Sequence, residues 1–370
     1  MSSPRRAASF ALRLAQGILS PRRASYAVFF LTDACNAKCP YCFNTRLSHL
    51  GGSPVGAGSL LSVAEYEKIA RNLDPLFQVV FSGGEPFLRP EIDELASVFY
   101  RSASTRLFSI PTNGAHGAAV PEKIARMLAR CPRATFNINI SLDAVGSRHD
   151  ELRKLDGGFE KAIAFGETLF GLRKRFGNLN VVVNTAVSES NFDDVKPLED
   201  FLHQRWAEER WFHNIQFDQR LTAARASGDR TAEKRDILAR RASWSDTGFR
   251  KIISRWYIHF IHSLIARQMH EDRMLYDCAA GRKMFVMTPD GNVSPCEPFL
   301  FERHYRRFPT FSIREHDYDF YRIRTEPGFR EMEQFIHDRK CKACPWSCAA
   351  IVSMTYSPSN WRLLAAGARP

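Results

Sequence analysis

Tyr26-Ala27-Val28-Phe29-Phe30-Leu31-Thr32 is followed almost at once by Cys35-Asn36-Ala37-Lys38-Cys39-Pro40-Tyr41-Cys42. The first run is apolar and rich in aromatics, the pattern of a buried strand. The second sets three cysteines in one short loop, spaced C-x3-C-x2-C. Soft thiolates suit iron–sulfur clusters, and three of them hold three irons of a four-iron cluster. The fourth iron then has no protein ligand and can bind a substrate or cofactor directly. A zinc site would want a fourth ligand, for which His49 is the nearby candidate. A disulfide framework fits poorly with 370 residues and nine cysteines, an odd number.

A second strand-like run, near Val79 to Phe81, ends in Ser82-Gly83-Gly84-Glu85-Pro86. Glycine permits close backbone approach to a ligand, and a carboxylate such as Glu85 accepts a hydrogen bond from an ammonium group. With both motifs the chain resembles the radical S-adenosylmethionine (radical SAM) superfamily. Its hallmarks are a C-x3-C-x-aromatic-C loop after the first barrel strand and a GGEP-like turn after the second; the aromatic here is Tyr41. The resemblance runs from about Ala24 to about Cys348. It implies that Cys35, Cys39 and Cys42 hold a SAM-binding 4Fe-4S cluster and that Gly83, Gly84 and Glu85 hold the methionine amino group. Ser141 and Asp143 are the expected ribose contacts, and Asn113 is a further SAM-site candidate. The implied enzyme is a radical SAM oxidoreductase. It would cleave SAM reductively to a 5′-deoxyadenosyl radical, which takes hydrogen from a substrate C–H bond. An electron donor such as flavodoxin or ferredoxin is implied as a partner.

Bulk composition narrows the setting. With 44% hydrophobic and 25% charged residues, the chain can bury a large core, one catalytic domain plus a smaller appendage. No apolar run reaches the ~18 residues of a membrane span. Iron–sulfur chemistry with no need of disulfides fits a reducing cytoplasm, the expected location. The net charge of +12 would suit nucleic acid, an anionic membrane or an acidic substrate. No nucleic-acid fold signature accompanies it, so no nucleic-acid partner is expected. Residues 1–24 read as a basic leader: Arg5-Arg6, an apolar stretch from Ala7 to Leu19, then Arg22-Arg23. Such a helix can pack on the barrel or make peripheral membrane contact, whereas Arg13 and Gln16 interrupt any secretory core.

Strand-like runs recur at 107–110, 135–142, 180–187 and 211–217. Helical patterns lie between them at 63–72, 90–102, 121–129, 159–176 and 193–204. This alternation predicts an α/β fold with a parallel sheet. The family resemblance makes it a partial (β/α)6 barrel over 25–220. Strand ends carry Thr32 and Asp33, Ser82, Thr112 to Gly114, Ser141 with Asp143, Ser188, and Asp218 to Arg220. Their recurrence predicts a lined cavity at the C-terminal ends of the strands, with Arg220 placed to meet an anionic group. Residues 221–277 read as a charged insertion followed by a helix from Phe249 to Met269.

Residues 278–370 bring a second cysteine set. Cys278 and Cys296 flank a hairpin that turns at Pro289-Asp290-Gly291, and Cys341, Cys344 and Cys348 follow. This resembles the SPASM/Twitch extensions of radical SAM enzymes. The full SPASM pattern carries more cysteines, for two clusters, so the Twitch form with one auxiliary 4Fe-4S cluster fits better. The spacing C-x17-C-x44-C-x2-C is similar to that of aminocyclitol dehydrogenases of the superfamily. The resemblance implies Cys278, Cys296, Cys341 and Cys344 as ligands, with Cys348 spare or replacing one of them. A structural zinc site is the alternative. Glu297, next to Cys296, is the expected base for substrate oxidation. The substrate is expected to be a small molecule or a lipid. A peptide-modifying (RiPP-type) SPASM maturase ranks second, because the stretch ahead of Tyr26 is short for a peptide-recognition domain. A non-catalytic iron–sulfur electron carrier is the rival outside enzymology.

Overall fold

A computed structural model describes residues 4–20, 23–42, 44, 59–188, 190–217, 249–302, 305, 307–341, 344 and 346–366. His49, Asp218 to Arg220 and the insertion at 222–246 lie outside the described residues.

Among the described residues nine strands form one open sheet in the order β6-β5-β4-β3-β2-β1-β7-β8-β9. They are β1 (Tyr26–Phe30), β2 (Gln78–Ser82), β3 (Leu107–Thr112), β4 (Thr135–Ser141), β5 (Leu179–Val187), β6 (Phe212–Phe217), β7 (Met284–Met287), β8 (Asn292–Ser294) and β9 (Phe311–Ser312). The first six run parallel. Crossover helices join them: α2 (Val63–Asn72), α3 (Ile92–Ser102), α4 (Ala119–Arg130), α5 (Ser147–Arg153), α6 (Gly158–Arg175) and α7 (Val195–Arg205), with α1 (Pro4–Leu19) ahead of β1. The fold is an α/β partial barrel that does not close. Local chemistry starts the helices where the chain leaves the sheet. Ser62 caps α2 by accepting from the Glu65 N–H while Glu65 reaches back to the Ser62 N–H, a reciprocal pairing of two otherwise orphan donors.

Strand alternation gives the sheet two different faces. One face is apolar and buried under the helices: Val79, Phe81, Phe108, Ile110, Phe136, Ile138, Val181 and Val183. Phe29 packs there against Tyr66 of α2 and Phe99 of α3. The other face, across β3 to β6, is mostly half-buried and mixed: Ser109, Asn137, Asn180, Asn184 and Asn214 stand among Leu107, Pro111, Val182 and Phe212, and Asn139 is buried. Neighbouring strands link their amides there: Asn139 donates to Ser109 at 2.7 Å, Asn180 to Asn137 at 2.9 Å, and Asn214 to Asn184 at 3.0 Å.

The C-terminal segment continues this same sheet. β7 pairs parallel with β1, Tyr26 opposite Met284, and β8 returns antiparallel through the turn at Gly291. Its helices are α8 (Phe249–Glu271), α9 (Glu297–Phe301), α10 (Phe320–Ile323), α11 (Pro327–His337), α12 (Ser347–Tyr356) and α13 (Trp361–Ala366). Phe301 of α9 meets Phe30, and Tyr257 of α8 donates to the Ile351 carbonyl of α12 at 3.2 Å.

Helix α1 packs at the N-terminal end of the sheet, Phe10 against Phe77. Lys283 pins its last turn: the ammonium donates to the Gly17 and Ser20 carbonyls, both at 2.6 Å. Burial lowers the Lys283 pKa to about 8. Lys283→Ala strips two carbonyls of their charged donor and is expected to cost about 2–3 kcal/mol. Faster amide exchange over 4–19 is the expected sign, and unchanged exchange there would contradict it. Among the described residues no helix is long and apolar enough to cross a membrane.

Candidate cluster and SAM site

The loop after β1 carries three cysteines outside any disulfide: Cys39 buried, Cys42 half-buried and Cys35 exposed. They lie within electrostatic reach of one another. Burial pushes Cys39 up to about 11; Arg153 opposes this, while Cys42, Asp143 and Cys35 add to it. Burial also raises Cys35, with Glu85 and Cys42 contributing. Among the described residues no three His, Cys, Asp or Glu side chains converge on a single metal-ion position. A cluster does not need such convergence, since each thiolate takes a different iron.

Other candidate residues form a brace beneath this loop. Gly83, with φ +123°, and Gly84 lie where the β1 loop crosses the β2 loop. A Cβ at Gly83 would sit 2.3 Å from the Thr32 carbonyl oxygen, and one at Gly84 2.2 Å from that of Ala34. Through this crossing the Gly84 N–H donates to Thr32 at 2.7 Å and the Glu85 N–H to Ala34 at 2.8 Å. The glycines therefore serve backbone-to-backbone contact, a use the motif alone did not reveal. The Glu85 carboxylate is buried and accepts from the Phe87 N–H (3.1 Å), the Thr112 hydroxyl (3.0 Å) and the Asn113 N–H (2.8 Å). Burial raises its pKa to about 7 against these donors. Asn113 donates to Asn36 at 2.6 Å and accepts from the Ala115 N–H at 2.9 Å, while Asn36 donates to the Ala115 carbonyl at 2.8 Å.

Asp143 is fully buried, and both its oxygens are engaged. One accepts from the Tyr41 hydroxyl and from Arg153 Nε at 2.7 Å, the other from the Ala186 N–H at 2.8 Å. The expected ribose contact is thus a carboxylate committed to holding the aromatic of the cysteine loop. Arg153, at the end of α5, also accepts the Lys38 N–H on its carbonyl at 3.0 Å. Breaking such a buried pair by removing one partner costs about 3–5 kcal/mol. Ser141 stays half-exposed at the end of β4. Arg153 and His116, whose Nε2 stands 3.7 Å from Glu85, carried no local sequence signal. The carboxamide-bearing face did carry one: Asn137, Asn139 and Ser141 alternate with buried apolar residues at period two.

The second set gathers beyond the opposite end of β1. There the Lys283 carbonyl accepts from the Ser25 and Tyr26 N–H groups, and Cys348 and Glu297 are ionisable neighbours of Tyr26. β1 spans about 16 Å at ~3.3 Å per residue, so the two cysteine sets flank the strand. Burial first, then mutual repulsion, raises these thiols. Cys296 feels Cys278, Cys344 and Cys341; Cys344 feels Cys278 and Cys341; Cys341 feels Cys278. Every pair among these four is represented. Cys348 feels Glu297 first, its Sγ 3.9 Å from each carboxylate oxygen, and then Cys344 and Cys278. Glu297 is buried, which raises its pKa to about 7. Buried amides fix the surrounding backbone. Gln268 donates to the Cys344 carbonyl at 2.8 Å and accepts from the Leu275 N–H at 3.0 Å. Asn360 brackets Asp277 through both its N–H (2.9 Å) and its carbonyl (2.8 Å).

Known proteins resemble this chain in part. Residues 29–202 match the radical SAM superfamily model. Molybdenum cofactor biosynthesis protein 1 of Homo sapiens is 27% identical over 185 residues, 49% of this chain and 27% of that protein. The antilisterial bacteriocin subtilosin biosynthesis protein AlbA of Bacillus subtilis is 24% identical over 282 residues, 74% of this chain and 55% of that protein. The matched segments span between 23% and 55% of the curated relatives' own lengths. SuiB of Streptococcus suis, solved with S-adenosylmethionine, shares the fold with a TM-score of 0.56 at 17% identity, covering 89% of this chain and 72% of that one. The superfamily binds SAM at a 4Fe-4S cluster, and three thiols in the 35–42 loop are the donor set such a cluster takes. With that loop seated on the Gly83-Gly84 crossing, residues 29–202 of this chain are a radical SAM domain by their match to the superfamily model.

Proposed function

We propose that this enzyme is an oxidoreductase acting on a polar, hydrogen-bonding substrate, with an auxiliary cluster receiving the second electron. One observation carries the reading: two thiol sets flank β1, and strands β3 to β6 of the same sheet carry carboxamides and hydroxyls on one half-buried face. When bound, SAM and the first cluster supply a 5′-deoxyadenosyl radical that removes hydrogen from a C–H bond. Cys35, Cys39 and Cys42 hold the first cluster. Gly83, Gly84 and Glu85 receive the methionine amino group, and Ser141 and Asn113 stand near the rest of SAM. Cys278, Cys296, Cys341 and Cys344 hold the auxiliary cluster, which leaves Cys348 beside Glu297. Glu297 takes the proton that the substrate loses on oxidation.

The carboxamide-bearing face supports a sugar-like or amide-bearing substrate over a lipid, whose chains would cover those carboxamides without pairing them. A peptide is the second reading. SuiB has also been solved with its precursor peptide SuiA, with a TM-score of 0.53 to this chain, and asparagine side chains match the donors and acceptors of a peptide backbone.

Anaerobic reconstitution tests the proposal. About eight irons and eight sulfides per chain are expected for two four-iron clusters, with 5′-deoxyadenosine formed on adding SAM and dithionite. A count near four would remove the auxiliary centre. On a substrate that the protein oxidises, Glu297→Gln is expected to slow oxidation by about 10²-fold or more while SAM is still cleaved. Undiminished oxidation would remove Glu297 as the base.

A further inference from the structure

Tyr276 lies two residues ahead of Cys278, in the backbone held by Gln268 and Asn360. The residue is fully buried, and its hydroxyl has no hydrogen-bond partner among the described residues. A buried hydroxyl left unpaired is costly, so one found in a packed core points to a partner yet to arrive. The ionisable neighbours of this hydroxyl are Cys344, Cys278, Cys348 and Cys296. A second tyrosine shows the contrast. The Tyr305 hydroxyl already donates to the Cys341 thiol of the same set.

We infer that Tyr276 donates its O–H to a sulfur of the auxiliary cluster and thereby sets that cluster's reduction potential. The inference rests on the proposal that the second cysteine set holds a cluster. Hydrogen bonds to cluster sulfurs stabilise the reduced, more negative state, and so raise the potential. Tyr276 is thus a positioning and tuning residue. Its neighbours explain how the donor is held: the Gln268 carboxamide ties Leu275 to Cys344 across the cysteine set, and Ser353 accepts from the Ala279 N–H at 2.9 Å. These bonds fix the backbone on both sides of Tyr276.

The test uses the full chain with Cys35, Cys39 and Cys42 replaced by alanine, so that the auxiliary cluster is the sole one. If this variant binds no iron or sulfide with Tyr276 intact, the auxiliary-cluster proposal fails and the inference falls with it. If it binds a cluster, Tyr276→Phe is expected to keep the iron and sulfide content. The midpoint potential, followed by EPR, is expected to become more negative. Pulsed EPR in D2O is expected to show weaker coupling to exchangeable deuterons. Full iron content with an unchanged midpoint would overturn the inference. Should Tyr276→Phe not assemble, a ring-fluorinated tyrosine at 276 decides. It is nearly isosteric and a stronger donor, so the midpoint is expected to move positive; an unchanged value would overturn the inference.

Discussion

Replacing Cys35, Cys39 and Cys42 together by alanine is expected to lower iron and sulfide from about eight to about four per chain and to abolish 5′-deoxyadenosine formation. The effect is all-or-none because an alanine methyl group cannot ligate iron. The fold is expected to survive, since the loop keeps other anchors when the thiol contacts (Ala37 N–H to Cys35 Sγ, Cys39 Sγ to the Arg153 carbonyl) are lost. The Lys38 N–H still reaches the Arg153 carbonyl, Asn36 still pairs with Asn113, and Tyr41 still meets Asp143. Far-UV circular dichroism should therefore match the parent. Iron near eight in the triple variant would mean that these sulfurs hold no cluster. Retained SAM cleavage would mean that the chemistry lies elsewhere.

Gly84→Ala is expected to produce the largest loss of stability from a single substitution discussed for this chain. Its Cβ would lie 2.2 Å from the Ala34 oxygen, 2.6 Å from the Ala34 carbonyl carbon and 2.8 Å from the Asp33 oxygen. All three are backbone atoms, so no rotamer change relieves the clash. The loops must separate, which breaks the Gly84–Thr32 and Glu85–Ala34 hydrogen bonds. A cost above about 4 kcal/mol is expected, a fall in Tm of about 8 °C or more, with loss of iron from the first site. Gly171→Ala is the control. An added Cβ there meets nothing, and the residue lies within α6, so helix propensity favours the change by up to about 1 kcal/mol. Equal Tm values for the two variants would refute the crossing as the reason for the glycines.

The barrel strands were readable because β-branched and aromatic runs alternate with helical periodicity, and the helix at 63–72 falls where its pattern predicts. The pairing of β7 with β1 was not readable. It joins residues more than 250 positions apart, and nothing local in Met284 to Met287 names its neighbour. The cysteine sets were legible as spacing alone, and the structure adds that they flank one strand. Roles were harder to read than positions. Asp143 looks like a ligand contact in sequence because it ends a strand; only the fold shows Tyr41, Arg153 and the Ala186 N–H closing on it. Tyr276 has no motif at all, and burial without a partner is what singles it out.

EPR on the full chain with Cys278, Cys296, Cys341 and Cys344 replaced by alanine tests the central claim most directly, since the first cluster is then observed alone. After dithionite reduction, adding SAM is expected to shift the g-values, because SAM takes the iron that the three cysteines leave free. A reduced cluster whose spectrum is identical with and without saturating SAM would contradict the account.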